Sequence, residues 1–326
     1  MKPVKVAILG AGVIARKMAE TVVGMDTVEG CAVAARDLNR AQAFAKEFGF
    51  TKAYGSYEEM LADSEVELVY VATPHSHHCA HAKLCLEAGK HVLVEKAFTA
   101  NATQAREVLD LAEKKGLVAA EAIWPRYMPM ADTLREICQS GIIGKVTTLT
   151  GNLGYVISNV PRLRDPALAG GALLDVGVYA LTFASIVFGG DVQKVTSSAV
   201  LTDQGVDAQN SITLTYGDGR VAILNSSMLA LSDRMGVLYG DRGFAIVENI
   251  NNFEEIRVYD LDRKLIARHE QPKQLTGFEY ELQSTVDAIR DGRLECPEMP
   301  HGEILRVMEL MDGLRRDWGV RYPFEA

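Results

Sequence analysis

Cysteine is scarce in this chain, and nothing organises the few that occur. The five cysteines lie scattered along 326 residues, and no pair has the C-x-x-C spacing. An odd number at irregular spacing argues against a disulfide framework and against a zinc site of the usual spacing. The first residues, MKPVKVAILGAG, run straight into a strand pattern without the apolar core of a signal peptide. We therefore expect a reduced, cytoplasmic protein.

Excess basic charge, long apolar runs, repeats and low-complexity segments are also lacking. The net charge is -9, which argues against nucleic acid and anionic membranes as partners. We find no apolar run approaching the length that a membrane span needs. What the chain does have is length and a hydrophobic content of 48%, enough for a sizeable core and more typical of two domains than of one.

The first part of the chain alternates between short apolar runs and helical patterns. The clearest strands are expected at 4–9, 67–72 and 91–94, and the clearest helices at 13–23, 78–87 and 101–115. Strands separated by helices at this pitch predict βαβ units and a parallel sheet covered on both faces. Asn101 and Gln104 have the spacing of a variant capping box at the start of the last helix.

The pattern changes after EAIWPRYMP. An apolar helix is expected at about 173–188, a hairpin around Gly217–Gly219, and two closing helices near 280–291 and 303–317. We therefore place a dinucleotide-binding Rossmann domain at 1–121. A domain of α+β type for substrate binding and oligomerisation follows at 122–326, with the option that its last helices pack back on the first domain.

A glycine-rich turn follows the first strand. Gly10 permits a tight turn, Gly12 lets a pyrophosphate approach the backbone, and Ala15 allows close packing of helix and strand. The start of the helix, including Val13 and Ile14, would face the phosphates with its free N–H groups. An ordinary glycine-rich βα turn is the alternative, but the position after an N-terminal strand favours a dinucleotide.

The end of the second strand bears on which dinucleotide binds. Arg36 stands near the place where an NAD site usually has a carboxylate, and Asp37 and Arg40 follow. A guanidinium suits a 2′-phosphate, so the sequence favours NADP, with NAD as the alternative. The other interpretation makes both arginines surface cations and Asp37 a helix cap.

Four histidines, His75, His77, His78 and His81, follow the third clear strand. His77 and His81 could share a metal across one helical turn, but the ligand set of a typical zinc site is incomplete, and we predict no metal. Residues at this end of a parallel strand commonly line a cofactor cleft. We therefore expect cofactor contacts from Thr73, Pro74, His75 and His78.

Two polar residues interrupt the apolar helix of the second domain. Asp175 and Tyr179 are spaced to lie on one face, and Gly177 keeps that face open. A buried tyrosine bonded to an aspartate would look the same. A dinucleotide domain needs a second domain that supplies substrate and an acid or base, which favours a site.

The whole chain resembles the Gfo/Idh/MocA oxidoreductases, and within them the branch of dimeric dihydrodiol and NADP-dependent D-xylose dehydrogenases. Three motifs carry the resemblance: Gly10-x-Gly12-x-x-Ala15, Glu95-Lys96, and Gly170-Gly171-x-x-x-Asp175-x-Gly177-x-Tyr179. It implies a doubly wound Rossmann domain and a second domain with a large, mostly antiparallel sheet, often a homodimer interface. It also implies NADP on the Gly10 loop, with Arg36 at the 2′-phosphate.

The resemblance also implies site roles. Lys96 and Tyr179 would form the acid/base pair, tuned by Asp175, with Glu95 near the cofactor. The substrate side of the site would include Trp124 and Arg126, and His78 would line the same cleft. Ala97 departs from the family, which usually has proline there, often after a cis bond, so the geometry at Lys96 stays open.

The function thus expected is hydride transfer between NADP and a sugar or vicinal diol. An inositol or amino-sugar dehydrogenase of the same family is the enzymatic alternative. A non-catalytic NADP-binding sensor is the alternative outside catalysis, and a metal-dependent hydrolase using the histidines is a third.

Overall fold

The computed structural model describes residues 2–325. The chain forms two compact units: a first unit of Met1–Trp124 with Gln274–Met308, and a second unit of Pro125–Lys273 with Glu309–Ala326.

The first unit contains a parallel sheet of six strands in the order β3-β2-β1-β4-β5-β6. This is the strand order of a doubly wound dinucleotide-binding fold. The strands are β1 (Val4–Leu9), β2 (Val28–Ala34), β3 (Lys52–Tyr54), β4 (Leu68–Val71), β5 (His91–Glu95) and β6 (Ala119–Ala122). The helices are α1 (Val13–Gly24), α2 (Leu38–Phe48), α3 (Tyr57–Leu61), α4 (His75–Glu87), α5 (Ala102–Lys115) and, later in the chain, α9 (Glu279–Arg290).

Burial explains why these segments are strands. Every residue of β4 and of β6 is buried, as expected for parallel strands covered by helices on both faces. The predicted cap of α5 is confirmed, because the Asn101 side chain accepts from Gln104 N at 2.9 Å. The Gln104 side chain reaches back to Ala100 N at 3.3 Å. β3 and α3 were not predicted, because they are too short to show a period.

The second unit contains an eight-stranded sheet in the order β14-β13-β12-β11-β7-β10-β9-β8. Only β7 and β10 pair in parallel, and every other neighbouring pair is antiparallel. The strands are β7 (Val146–Gly154), β8 (Val192–Leu201), β9 (Asp207–Tyr216), β10 (Val221–Ser227), β11 (Gly236–Gly240), β12 (Gly243–Glu248), β13 (Glu255–Asp260) and β14 (Leu265–Glu270). The predicted hairpin around Gly217–Gly219 is confirmed as β9–β10, and β13–β14 forms another antiparallel pair.

One face of this sheet is covered and the other is open. Residues alternate between buried and exposed along β10, the pattern of a sheet with one solvated face. The helices of the unit include α6 (Pro129–Ser140), α7 (Pro161–Arg164) and α8 (Val178–Phe188), and α10 (His301–Trp318) contains residues of both units. Apolar side chains such as Val200 and Ile223 are exposed on the strands. A homodimer through this sheet stays a prediction.

The helical run Pro166–Phe188 is long enough to cross a membrane, with a mean hydropathy of 1.8 over its apolar window. The expectation that no apolar run approaches this length is therefore wrong. Asp175 is the only charged residue in the run, so one charged side chain is all that interrupts its apolar character. The window is 89% buried inside the protein, which is typical of a core helix.

Candidate active site

The glycine turn between β1 and α1 fits a dinucleotide pyrophosphate. Gly10 has φ of 105°, and a Cβ there would lie 2.8 Å from the carbonyl oxygen of Ala72. A Cβ on Gly12 would meet no atom within 4 Å, so the backbone is open to a ligand on that side. α1 begins without a side-chain cap and has no acidic residue in its first turn. Its first N–H groups, beginning with Val13 and Ile14, can therefore receive a phosphate, while Ala15 is buried against the sheet.

Arg40 and Asp37 both form hydrogen bonds that stabilise the turn after β2. The Asp37 carboxylate caps α2, accepting from Asn39 N at 2.9 Å and from Arg40 N at 3.4 Å. The Arg40 guanidinium donates twice to Ala11 O, at 3.0 and 2.7 Å, and so ties this turn to the glycine turn. Arg36 is exposed. The cofactor contacts expected of these residues stay predictions, with Asp37 and Arg40 also holding the loops in place.

The neighbourhood of Arg36 contains three aromatic rings, of Tyr57, His77 and His81, that were not predicted to contact the cofactor. Burial lowers the pKa of His81 to about 4, with smaller contributions from His77, His78 and Arg36. Burial and Arg36 together lower the pKa of His77, whereas burial raises the pKa of Tyr57. Tyr57 and His81 meet edge to face with centroids 4.8 Å apart. The His77 and His81 rings also contact each other, with centroids 5.5 Å apart, and all three rings lie close enough to Arg36 for its charge to affect their pKa values.

The histidine run forms hydrogen bonds with the protein itself. His81 Nδ1 lies 3.0 Å from the Thr73 hydroxyl, and His77 Nδ1 lies 2.8 Å from the Ser76 hydroxyl. Within residues 2–325, no group of three or more His, Cys, Asp or Glu side chains is arranged to hold a metal ion. His75 is buried at the start of α4, next to Pro74 at its N-cap.

His78 supports the loops at the carboxyl end of the sheet. Its ring is fully buried, with Nδ1 2.9 Å from Ala97 O and Nε2 2.7 Å from Thr73 O. Burial lowers the pKa of His78 to about 4, so the neutral ring has one N–H for two carbonyl groups. It joins the segment after β4 to the segment after β5. His78 was expected to line the cleft, but a residue that does so must expose part of its side chain, and the His78 ring exposes none.

Lys96 lies directly after β5, in a turn held from several sides. The peptide bond between Lys96 and Ala97 is cis, which answers the question that the missing proline left open. The Ala97 carbonyl contacts His78, and Phe98 N donates to a Glu121 carboxylate oxygen at 2.8 Å. Glu95 is buried and accepts from the Tyr70 hydroxyl. Lys96 is half-buried, at the edge where open α/β sheets bind ligands.

A third buried carboxyl faces Glu95 and Glu121 from α9. Glu281 is completely buried, and neither of its carboxyl oxygens has a hydrogen-bond partner. Burial, reinforced by the charges of Glu95 and Glu121, raises the pKa of Glu281 well above its usual range. The carboxyl is therefore neutral in the folded protein at pH values where the unfolded chain has lost the proton.

Replacing Glu281 by glutamine should stabilise the protein as the pH rises. A raised pKa in the folded state means that stability is fully present below the unfolded pKa and is lost with rising pH, whereas glutamine does not titrate. Thermal unfolding should show similar Tm values at pH 4.5 and an advantage of about 3–6 °C for Glu281→Gln at pH 8. The exposed Glu113→Gln is the control. A Tm difference independent of pH would contradict the assignment.

Trp124 and Phe278 form an aromatic wall in the first unit. Their rings stack with centroids 4.9 Å apart. Gly277, with φ of 92°, makes the stack possible, because a Cβ there would lie 2.5 Å from the indole ring. Trp124 Nε1 is buried without a hydrogen-bond partner. In the second unit, Arg126 donates to the Ser185 hydroxyl at 3.0 Å. Phe278 was not predicted from the sequence to belong to this site.

Asp175 and Tyr179 lie at the start of the long helix of the second unit. A π-helical turn, Leu173–Gly177, leads directly into α8, and π-turns are frequent at functional sites. Asp175 is buried and accepts from Arg162 in α7 at 3.0 Å, while Tyr179 is half-buried. Arg162 fixes the Asp175 carboxylate and was missed in the sequence, because the two residues meet only through the fold. The pairing of Tyr179 with Lys96 stays a prediction.

Comparisons with known proteins agree with this architecture. Residues 4–122 match a family model described as an oxidoreductase family with an NAD-binding Rossmann fold, and residues 131–246 match the GFO/IDH/MocA C-terminal domain. The chain belongs to the Gfo/Idh/MocA oxidoreductase family. The mouse trans-1,2-dihydrobenzene-1,2-diol dehydrogenase is 34% identical over 97% of both chains. The human enzyme of that name is 35% identical, over 90% of this chain and 89% of its own.

Solved structures share the fold of this Gfo/Idh/MocA oxidoreductase. A 3-ketoreductase from Actinomadura kijaniata, solved with NADP and TDP-benzene, superposes with a TM-score of 0.89. It is 24% identical, covering 96% of this chain and 97% of its own. A putative NADPH-dependent oxidoreductase from Desulfitobacterium hafniense has a TM-score of 0.83 and is 20% identical over 94% of this chain and 93% of its own. The predicted fold class and the expected dinucleotide-binding Rossmann fold are confirmed, while the domain boundary after residue 121 stays a prediction.

Proposed function

We propose that this oxidoreductase transfers a hydride between NADP and the hydroxyl or carbonyl group of a small vicinal diol or sugar. The observation that carries the proposal is the 34–36% identity, over 90–97% of the chain, to enzymes named trans-1,2-dihydrobenzene-1,2-diol dehydrogenase. The open glycine turn and the exposed Arg36 guanidinium support NADP as the cofactor.

In this proposal the protein binds the cofactor and transfers the proton of the substrate hydroxyl. When bound, NADP supplies the nicotinamide carbon that gains or loses the hydride. In the oxidation direction, the Tyr179 phenolate takes the proton of the substrate hydroxyl, and in reduction the phenol returns it. The Lys96 ammonium stabilises the negative charge on the substrate oxygen and on the phenolate. Arg162 holds Asp175 one turn before Tyr179, which limits the movement of that part of the helix.

Turnover of a substrate panel tests the proposal. The panel contains trans-dihydrodiols, aldoses, inositols and amino sugars, each offered with NADP, and the formation of reduced cofactor is followed by absorbance. We expect the vicinal diols or aldoses to give the highest kcat/KM. A preference for inositols or amino sugars would move the protein to another substrate class of the family. NADPH binding without turnover of any compound would favour a sensor.

Removing the Arg36 guanidinium should shift the cofactor preference. Arg36→Ala should weaken NADPH binding by about 10–100-fold, the loss expected for charge-assisted hydrogen bonds to a 2′-phosphate, with little effect on NADH. Fluorescence titration of both cofactors measures this, with the exposed Lys46→Ala in α2 as the charge-matched control. Equal binding of NADH and NADPH by the unmodified protein would contradict the role of Arg36.

A further inference from the structure

The helix that contains Asp175 and Tyr179 begins without a cap from its own segment. Ala172 at the N-cap position makes no side-chain hydrogen bond, so the first N–H groups need partners from elsewhere. Asp207 of β9 supplies one, because its Oδ2 accepts from Leu173 N at 2.8 Å. Asp207 is completely buried. A carboxylate at this end of a helix is also favoured by the helix dipole.

Neighbouring strands hold Asp207 in place. Its Oδ2 also accepts from Asn210 Nδ2 at 2.9 Å, and Asn210 Oδ1 accepts from the Ser226 hydroxyl at 2.9 Å. Ser226 lies where the helix approaches β10 closely, since a Cβ on Gly177 would lie 3.0 Å from its Oγ. The hydrogen-bonded chain Asp207–Asn210–Ser226 therefore follows the helix from its first turn to Gly177, just before Tyr179.

The segment before the helix is fixed by the same group of residues. Gly171 has φ of 118°, and a Cβ there would overlap Asp207 Oδ1. The Gly170 carbonyl accepts from the Tyr322 hydroxyl at 2.9 Å. Gly171 is thus required for the close approach of the Asp207 carboxylate, in addition to any role at a ligand. Gly170 is required for another contact, because a Cβ there would lie 2.6 Å from the Leu163 carbonyl oxygen.

The negative charge of the Asp207 carboxylate is poorly compensated by the groups around it. Burial raises the pKa of Asp207 to about 6, against the opposing effects of Asn210, Leu173 N–H and the more distant Arg315. Arg315 is already paired with Asp312 at 2.8 Å and with Glu325 at 2.7 Å. Burial raises the pKa of Tyr322 far above neutrality, so this neighbour stays neutral. Asp207 Oδ1 has no hydrogen-bond partner.

We propose that Asp207 is a positioning residue for the reaction, whose carboxylate fixes the first turn of the helix and thereby the orientation of Asp175 and Tyr179. The inference rests on the proposed function for its effect on turnover. Protonation of Asp207 removes the negative charge that accepts from Leu173 N–H. The added proton on Oδ1 finds no hydrogen-bond acceptor. Turnover should therefore decline as the pH falls through about 6, the pKa to which burial raises Asp207.

Asp207→Asn tests the inference, with the exposed Asp203→Asn as the matched control. Asparagine keeps the shape of the side chain but removes the charge. We expect kcat to fall by about 10–100-fold, as for a displaced catalytic group, with KM and NADPH affinity nearly unchanged. The decline of kcat near pH 6 should disappear in Asp207→Asn and persist in Asp203→Asn. A merely structural role would lower Tm without removing this feature of the pH profile.

Asn210→Ala keeps Asp207 and provides a second test if Asp207→Asn fails to fold. The Asn210 amide lowers the pKa of Asp207, so its loss should move the decline of kcat to higher pH. An unchanged midpoint would contradict the proposal.

Hydrogen exchange provides a readout that does not depend on catalysis. Amides of residues 172–179 should exchange faster in Asp207→Asn than in Asp203→Asn, after correction for intrinsic rates. If the unmodified protein turned over no substrate, the proposed function would fail and the exchange experiment would still decide the anchoring role. Unchanged exchange in Asp207→Asn, or a pH profile like that of the unmodified protein, would overturn the inference.

Discussion

Tyr179→Phe should lower kcat by about 10²–10⁴-fold, the range that a positioned general acid/base contributes. The phenyl ring fills the same space at the start of α8, so the helix and the Arg162–Asp175 pair should be undisturbed. NADPH affinity should stay within about twofold, since the variant keeps the ring and loses only its hydroxyl group. Steady-state kinetics on the best substrate of the panel and fluorescence titration with NADPH measure both effects.

The control for this variant is Tyr239→Phe, which removes a phenol that is 41% exposed on β11. It should leave kcat and NADPH affinity unchanged. Full turnover by Tyr179→Phe would eliminate Tyr179 as the acid/base and would leave Lys96 as the remaining candidate for proton transfer.

Lys96→Met should lower kcat/KM by about 10²–10³-fold or more, as the loss of one group that stabilises a developing oxyanion does. Methionine retains much of the apolar stem but carries no charge and no donor. Lys96→Arg keeps the charge in a planar, bulkier group and should recover only part of the activity. Kinetics of both variants, with Tm as a measure of folding, separate the loss of charge from the loss of shape.

Lys83→Met is the matched control for Lys96, because Lys83 forms an exposed ion pair with Glu107 at 2.7 Å. It should retain the turnover of the unmodified protein. A Lys96→Met variant as active as Lys83→Met would show that the reaction does not use the Lys96 ammonium.

The sequence was most informative where the signal is local. The strands β1, β4 and β5 show apolar runs because both faces are covered, and the Asn101 cap has its partner in the next turn of the helix. The glycine turn could be predicted because its conformation depends on adjacent residues. The parallel pairing of β7 and β10 could not be read from the pattern, since the two strands are distant in the chain and each would suit an antiparallel neighbour.

Side-chain partners that come from distant parts of the chain could not be predicted from the sequence either. Glu281 meets the charges of Glu95 and Glu121 only after α9 has packed on the first sheet, so its neutral state has no signature in the sequence. Arg162 and Asp207 reach the helix of Tyr179 from α7 and β9. The motif residues could be identified one by one, whereas the residues that hold them depend on the tertiary structure.

The most direct test of the central claim follows the hydride itself. A diol or aldose from the panel is prepared with deuterium on the carbon to be oxidised and is incubated with the protein and NADP, and the mass of the cofactor is measured. We expect one deuterium in the reduced nicotinamide with the unmodified protein and strongly slowed transfer with Tyr179→Phe. Bound cofactor that stays unlabelled with every substrate of the panel would contradict the assignment of this chain as a diol or sugar dehydrogenase.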